Sequence, residues 1–110
     1  MKTFRTKTYE RGLKRIAKLG GSKADFAAME AGIIRDLSAG DVIQDSGGLR
    51  KVRFGFGNLG KRGGGRTIYY HWVDDGAVYF LAAYAKVDQE DLTAEERKLF
   101  ARLIEEAKRA

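Results

Sequence analysis

Apolar residues fall three and four apart over the first third of the chain. Tyr9, Leu13 and Ile16 mark one side of a helix, and Gly20-Gly21 ends it, because glycine readily takes the left-handed conformation that closes helices. Ser22 suits the N-cap of a second helix and Asp25 its positive end, while Phe26, Met29, Ile33 and Leu37 repeat the spacing as far as Gly40. The pattern predicts a helical hairpin, preceded within Met1 to Thr6 by a brief extended piece around Phe4 that reads as an edge strand.

Beyond the Asp45-Ser46-Gly47-Gly48 turn the period shortens to two. In a strand from Leu49 to Phe54, Arg50, Val52 and Phe54 point one way and Leu49, Lys51 and Arg53 the other. Thr67 to Val73 is a β-branched and aromatic run, Asp74-Asp75-Gly76 a hairpin turn, and Ala77 to Lys86 a second long strand. Thr93 and Glu96 have capping-box spacing, and Leu99, Phe100, Leu103, Ile104 and Ala107 give the last helix an apolar stripe. Together these elements predict one α+β domain over residues 1–110, with two N-terminal helices, an antiparallel sheet of three to four strands and a C-terminal helix.

Composition narrows the chemistry. With 44% hydrophobic residues in 110 the chain can bury a modest core. No apolar run approaches the roughly 18 residues of a membrane span, so a soluble cytoplasmic protein is expected. The chain has no Cys, which excludes thiol catalysis and zinc-thiolate sites, and one His, which excludes a multi-histidine metal site. No cofactor is expected, and carboxylates, hydroxyls, Lys and Arg remain for chemistry.

The net charge of +6 is unevenly placed. Residues 1–23 carry +7, residues 24–45 carry −4, residues 46–73 carry +6 with no acid at all, and residues 74–110 carry −3. Arg50, Lys51, Arg53, Lys61, Arg62 and Arg66 therefore have no local carboxylate to pair with, an arrangement that repels itself unless something anionic binds. Within this block, residues 55–65 hold six glycines in eleven positions between two predicted strands. The stretch lacks the spacing and the following helix of a phosphate-binding P-loop. Two readings stay open: a long mobile hairpin loop, or a cationic flap that closes on a phosphate backbone. Tyr69, Tyr70 and Trp72 read as core aromatics that could also stack on bases, and His71 as structural.

Gly47-Gly48-Leu49-Arg50-Lys51-Val52-Arg53, Gly60-Lys61-Arg62-Gly63-Gly64-Gly65-Arg66-Thr67-Ile68-Tyr69-Tyr70, Tyr84-Ala85-Lys86 and Asp91-Leu92-Thr93 occur in that order. The series resembles the RelE/HigB toxins of bacterial type II toxin-antitoxin systems, in particular the HigB-like branch. The resemblance implies an mRNA interferase that enters the ribosomal A site, touches rRNA, and cuts mRNA without metal by attack of a ribose 2′-OH on the adjacent phosphate. It also implies a neighbouring helix-turn-helix, HigA-like antitoxin. Carried over by position, it places Lys51, Arg53, Arg66, Lys86 and Tyr84 in the catalytic set. Arg66 is the expected bidentate phosphate clamp, and Lys51 or Lys86 the proton-transfer group. Arg50, Lys61 and Arg62 are expected to grip RNA backbone, with the +7 N-terminal segment as a second candidate contact to rRNA. The Tyr or His that some members carry beyond the last strand has no counterpart after Lys86. A gyrase poison resembling ParE and a non-catalytic RNA-binding module are the competing functions.

Overall fold

The chain runs β1 (Lys2–Arg5), α1 (Lys7–Lys18), α2 (Lys23–Arg35), β2 (Asp41–Val42), β3 (Arg50–Phe54), β4 (Gly65–Trp72), β5 (Ala77–Ala85) and α3 (Ala94–Arg109) in a computed structural model that describes residues 1–109. The strands form one sheet in the order β1-β5-β4-β3-β2, antiparallel except for β1, which pairs with β5 in parallel. The sheet is thus mixed and five-stranded, where an antiparallel one of three to four strands was expected. The parallel edge follows from how the chain leaves it. Thr6 donates its hydroxyl to the Leu81 carbonyl at 2.7 Å and accepts the Tyr9 N–H, so β1 ends where α1 is capped and lifts onto the sheet face. The added strand β2 is two residues long, too short for a period-two pattern to register.

Helix α1 lies against β5 through Tyr9, Leu13 and Ile16, at a distance only glycine permits. A Cβ on Gly12 would sit 1.9 Å from the Ala83 carbonyl oxygen. In α2, Ser22 and Asp25 form a reciprocal capping box. That helix stops at Arg35, short of the predicted Leu37. The Asp36 carboxylate takes the Ser38 N–H and hydroxyl, a local turn that competes with the helical ladder, and Leu37 packs on the core from outside the helix. Arg5, Tyr9 and Glu30 tie β1, α1 and α2 together: the guanidinium and the phenol both donate to the Glu30 carboxylate, each at 2.6 Å in its shorter contact. Burial, reinforced by the Glu30 carboxylate, pushes the Tyr9 phenol far above its ordinary value.

The sheet separates two apolar layers. On the α1/α2 side lie Tyr9, Ile16, Met29, Ile33, Phe54, Tyr69, Val78, Phe80, Ala83 and Ala85. On the α3 side lie Leu49, Ile68, Tyr70, Leu81, Ala82, Tyr84, Phe100 and Ile104. The last helix begins with the predicted Thr93–Glu96 capping box. Of its predicted stripe, Phe100 and Ile104 are buried, but Leu99 is 52% exposed, because it points about 100° round the helix from Phe100.

Strict alternation fails once in β5. Ile68 pairs with Ala82 and Tyr69 with Phe80, so Leu81 is an extra residue and the two strands are offset there by a β-bulge. Phe80 and Tyr84, four apart and hence on one side of a regular strand, consequently occupy opposite layers.

Candidate active face

The bulge brings Tyr84 into a cross-strand row on the α3 side of the sheet. Arg53 in β3 is directly opposite Arg66 in β4, and Arg66 is directly opposite Tyr84 in β5. Lys51, two residues before Arg53, shares its face, and Lys86 extends the row just beyond β5, where its N–H donates to the Gly64 carbonyl at 2.9 Å. Four of the eight predicted site residues, Lys51, Arg53, Arg66 and Tyr84, therefore come together from three strands, and Lys86 follows just after β5, with its ammonium 3.9 Å from the Glu90 carboxylate.

Arg66, the expected bidentate phosphate clamp, already has carbonyl partners for its guanidinium. It is 3% exposed, and its guanidinium donates to the carbonyls of Lys61, Gly65 and Arg62 at 3.0–3.1 Å. One side chain thus fastens the carbonyl side of the glycine loop. The loop is tied elsewhere too. Phe56 and Leu59 exchange backbone hydrogen bonds around a tight turn, the Phe56 ring is buried, and the Gly57 N–H donates to Asp25 at 3.1 Å. Residues 55–65 form a folded loop with these ties. Its Lys61 and Arg62 side chains are exposed.

Arg50 is not brought to this face. Alternation turns it to the α2 side, where it donates to the carbonyls of Ser38 and Gly40. Conversely, Asp91 was not singled out as a site residue, although it stands in the Asp91-Leu92-Thr93 stretch quoted for the resemblance. From the segment after β5 its carboxylate pairs with the Lys51 ammonium. That bond, helped by the charges of Lys51, Arg66 and Arg53, holds the Asp91 carboxyl below the usual carboxylate range. A cavity of about 350 Å³ opens beside the pair, between β2 and the Asp91 segment, with Val42, Gln44 and Arg97 in its wall.

Tyr84 is 7% exposed and its hydroxyl has no hydrogen-bond partner among the described residues. Burial, with the Asp91 charge adding to it and the Arg66 charge opposing, pushes the phenol up to about 12. At neutral pH it is a protonated donor with nothing to donate to. The face as a whole offers several cations for an anion and one un-ionised hydroxyl beside them. Among the described residues, no group of three or more His, Asp or Glu converges where it could hold a metal ion.

The family model described as the RelE toxin of the RelE/RelB toxin-antitoxin system matches residues 1–110. The chain belongs to the RelE toxin family. It is a toxin of a toxin-antitoxin system, and an antitoxin is its partner. The mixed sheet with helices on both sides is this RelE-type chain's α+β fold. No helix among the described residues is long and apolar enough to cross a membrane.

Proposed function

We propose that this RelE-family toxin is a ribosome-dependent endoribonuclease of the HigB-like kind, which inhibits translation by cutting mRNA in the ribosomal A site. The observation that carries the reading is the Arg53–Arg66–Tyr84 row flanked by Lys51 and Lys86, because metal-free cleavage of a phosphodiester needs cations around the phosphorane-like transition state and groups that move two protons. The ribose 2′-OH attacks the adjacent phosphorus, the P–O5′ bond breaks, and a cyclic phosphate and a free 5′-OH result. Arg53, exposed and unencumbered, contacts the phosphate, while Arg66 sets the shape of the loop and adds charge from beneath. Lys51 or Lys86 is the proton-transfer group: released from its carboxylate partner and having given up one proton, the free amine takes the 2′-OH proton. The Tyr84 hydroxyl, protonated at neutral pH, supports a donor role toward the leaving oxygen. An incoming phosphate competes with the Asp91 carboxylate for Lys51. Lys61 and Arg62 grip the RNA backbone from the loop. The antitoxin is of the helix-turn-helix, HigA-like type, and the toxin acts in the cytoplasm.

The test is to map transcript 5′ ends after induction of the wild type and of Arg53→Ala, a substitution that frees no hydrogen-bond partner among the described residues. Cuts in register with codons, lost in Arg53→Ala, are the expected result. Cuts without codon register, gyrase-linked DNA damage in their place, or RNA binding with no cuts would each refute it. Arg66→Ala is a poorer probe because it also strands three loop carbonyls.

A further inference from the structure

The cavity of about 350 Å³ beside the Lys51–Asp91 pair is at the small end of the roughly 300–1,000 Å³ typical of ligand pockets, a size for one planar ring rather than a chain segment. Val42 of β2 lines it from one side and Leu92, beyond β5, from the other, so a flat ring entering between them has apolar side chains on both sides. The polar lining is held in place by the fold. Gln44 stands on a turn that the Ile43 N–H closes on the Leu49 carbonyl at 2.8 Å, and the Ser46 hydroxyl donates to the Ile43 carbonyl and accepts the Leu49 N–H. Arg97 precedes Phe100 by three residues and Ile104 by seven, so it lies on the stripe of α3 turned to the sheet, and it is half-buried. Among the described residues no carboxylate lies within 4.0 Å of its guanidinium. A half-buried fork of N–H donors with no anion beside it is costly unless a ligand completes it.

The cavity opens onto the active face at Lys51. Lys51 and Arg53 share one side of β3, about 7 Å apart along the strand, so a base carried next to a phosphate held at Arg53 reaches the cavity. Asp91 belongs to both places: its carboxylate pairs with the Lys51 ammonium, and it lines the cavity. A phosphate that takes Lys51 leaves this carboxylate free at the cavity wall. The lining then holds a donor-only guanidinium, an acceptor-only carboxylate and the Gln44 amide, which does either. Guanine is the base that meets the first two with two bonds each, because O6 and N7 accept from a guanidinium fork while N1–H and the N2 amino group donate to a carboxylate. Adenine and cytosine offer a carboxylate one amino group, and uracil a single ring N–H.

We infer that this cavity is a specificity subsite for a guanine base of the message next to the scissile phosphate, with Arg97, Asp91 and Gln44 reading its edges and Val42 and Leu92 flanking its ring. The inference rests on the nuclease reading above. Asp91 then has two positions, on Lys51 in the free toxin and on the base when message is bound, so the matching base helps to release the lysine that moves the proton. Arg97 and Gln44 are positioning residues and take no part in the bond changes.

The test compares full-length wild type, Arg97→Met and Asp91→Asn on purified ribosomes programmed with messages that differ by one base of the A-site codon. It reads the ratio of kcat/KM between bases within each protein, which a general loss of rate or the loss of the Lys51 partner does not move. The wild type is expected to favour guanine at one codon position, by about 5- to 150-fold for each bidentate pair, and Arg97→Met to lose one such factor. Asp91→Asn is expected to move the preference toward adenine, because a side-chain amide meets an adjoining donor and acceptor on that base where a carboxylate does not. Equal base ratios in wild type and Arg97→Met overturn the subsite, as does a wild-type preference for another base at the position that Arg97→Met affects. A second measurement needs no cleavage: the 2′-O-methyl trinucleotides UpGpU, UpApU, UpCpU and UpUpU are titrated into free toxin, and the side-chain N–H resonances of Arg97 and Gln44 are followed by NMR. Guanine-selective shifts in a toxin that cuts no message sustain the subsite and overturn the nuclease reading alone. Cuts in codon register with base ratios indifferent to Arg97→Met overturn the subsite alone.

Discussion

Tyr84→Phe removes one oxygen from the centre of the proposed active face, and the structure fixes the sign of its effect on stability. The hydroxyl is buried and has no partner among the described residues, so folding strips it of water without replacing the lost hydrogen bond. Such a group costs about 1–3 kcal/mol, and phenylalanine avoids the cost while keeping the ring against Phe100 and Ile104 in the α3 layer. For a domain of this size that corresponds to a rise in Tm of about 4–12 °C. A second signature lies on the alkaline side. The folded-state phenol is raised from 10.0 to about 12, so its neutral form is the one the fold prefers. The contribution is complete below pH 10 and is lost as pH rises through 12. At 1.36 kcal/mol per unit, the wild type gives up about 2 kcal/mol by pH 11.5 that Tyr84→Phe does not, leaving the variant with the alkaline loss due to Tyr9, which is raised in the same direction. Thermal melts of both proteins between pH 7 and 11.5, alongside mRNA cleavage in a translating extract, read all three quantities. A Tyr84→Phe protein that melts below the wild type would show that the hydroxyl is held by a partner after all. One that melts higher yet cleaves at the wild-type rate would remove Tyr84 from the chemistry.

Two further substitutions test the scaffold. Gly12→Ala drives a methyl into the Ala83 carbonyl and should push α1 off β5 at a cost of about 3 kcal/mol, read as a lower midpoint in urea; a loss under about 1 kcal/mol would mean the helix is not held at that distance. Glu30→Gln acts through pH. Burial raises the Glu30 carboxyl, but the hydrogen bonds from Arg5 and Tyr9 outweigh it and the net shift is downward, so its stabilising contribution is present above the carboxylate range and is lost as pH falls through it. The wild type should therefore lose stability on acidification more steeply than Glu30→Gln, and parallel acid-unfolding curves would contradict the assignment.

Much of the architecture was legible in the chain. The capping pairs Ser22–Asp25 and Thr93–Glu96 are local hydrogen-bond exchanges between residues three apart, so reading them needs no knowledge of the fold, and both occur. The opposition of Val52 and Phe54 to Lys51 and Arg53 is likewise a property of any regular strand. What the local pattern could not convey was partnership over distance. Arg66 reads as a free cation in sequence, yet its guanidinium is engaged by carbonyls of its own loop. Asp91, forty residues from Lys51, is its ion-pair partner. A two-residue strand such as β2 is recognisable only through its pairing with Arg50 and Lys51.

Periodicity, capping residues and the acid-free block from residue 46 to 73 were sufficient to establish the α+β elements and to locate the cationic strands and loop. The register of β3 on β4 set Arg53 against Arg66, and a single extra residue in β5 decided that Tyr84 joins them. In a regular strand Tyr84 would follow Phe80 into the α1/α2 layer. The bulge at Leu81 turns it to the α3 side, opposite Arg66 and in line with Arg53. Side-chain parity along a strand is counted from local sequence, whereas a bulge is a mismatch between two strands and exists only once they have paired.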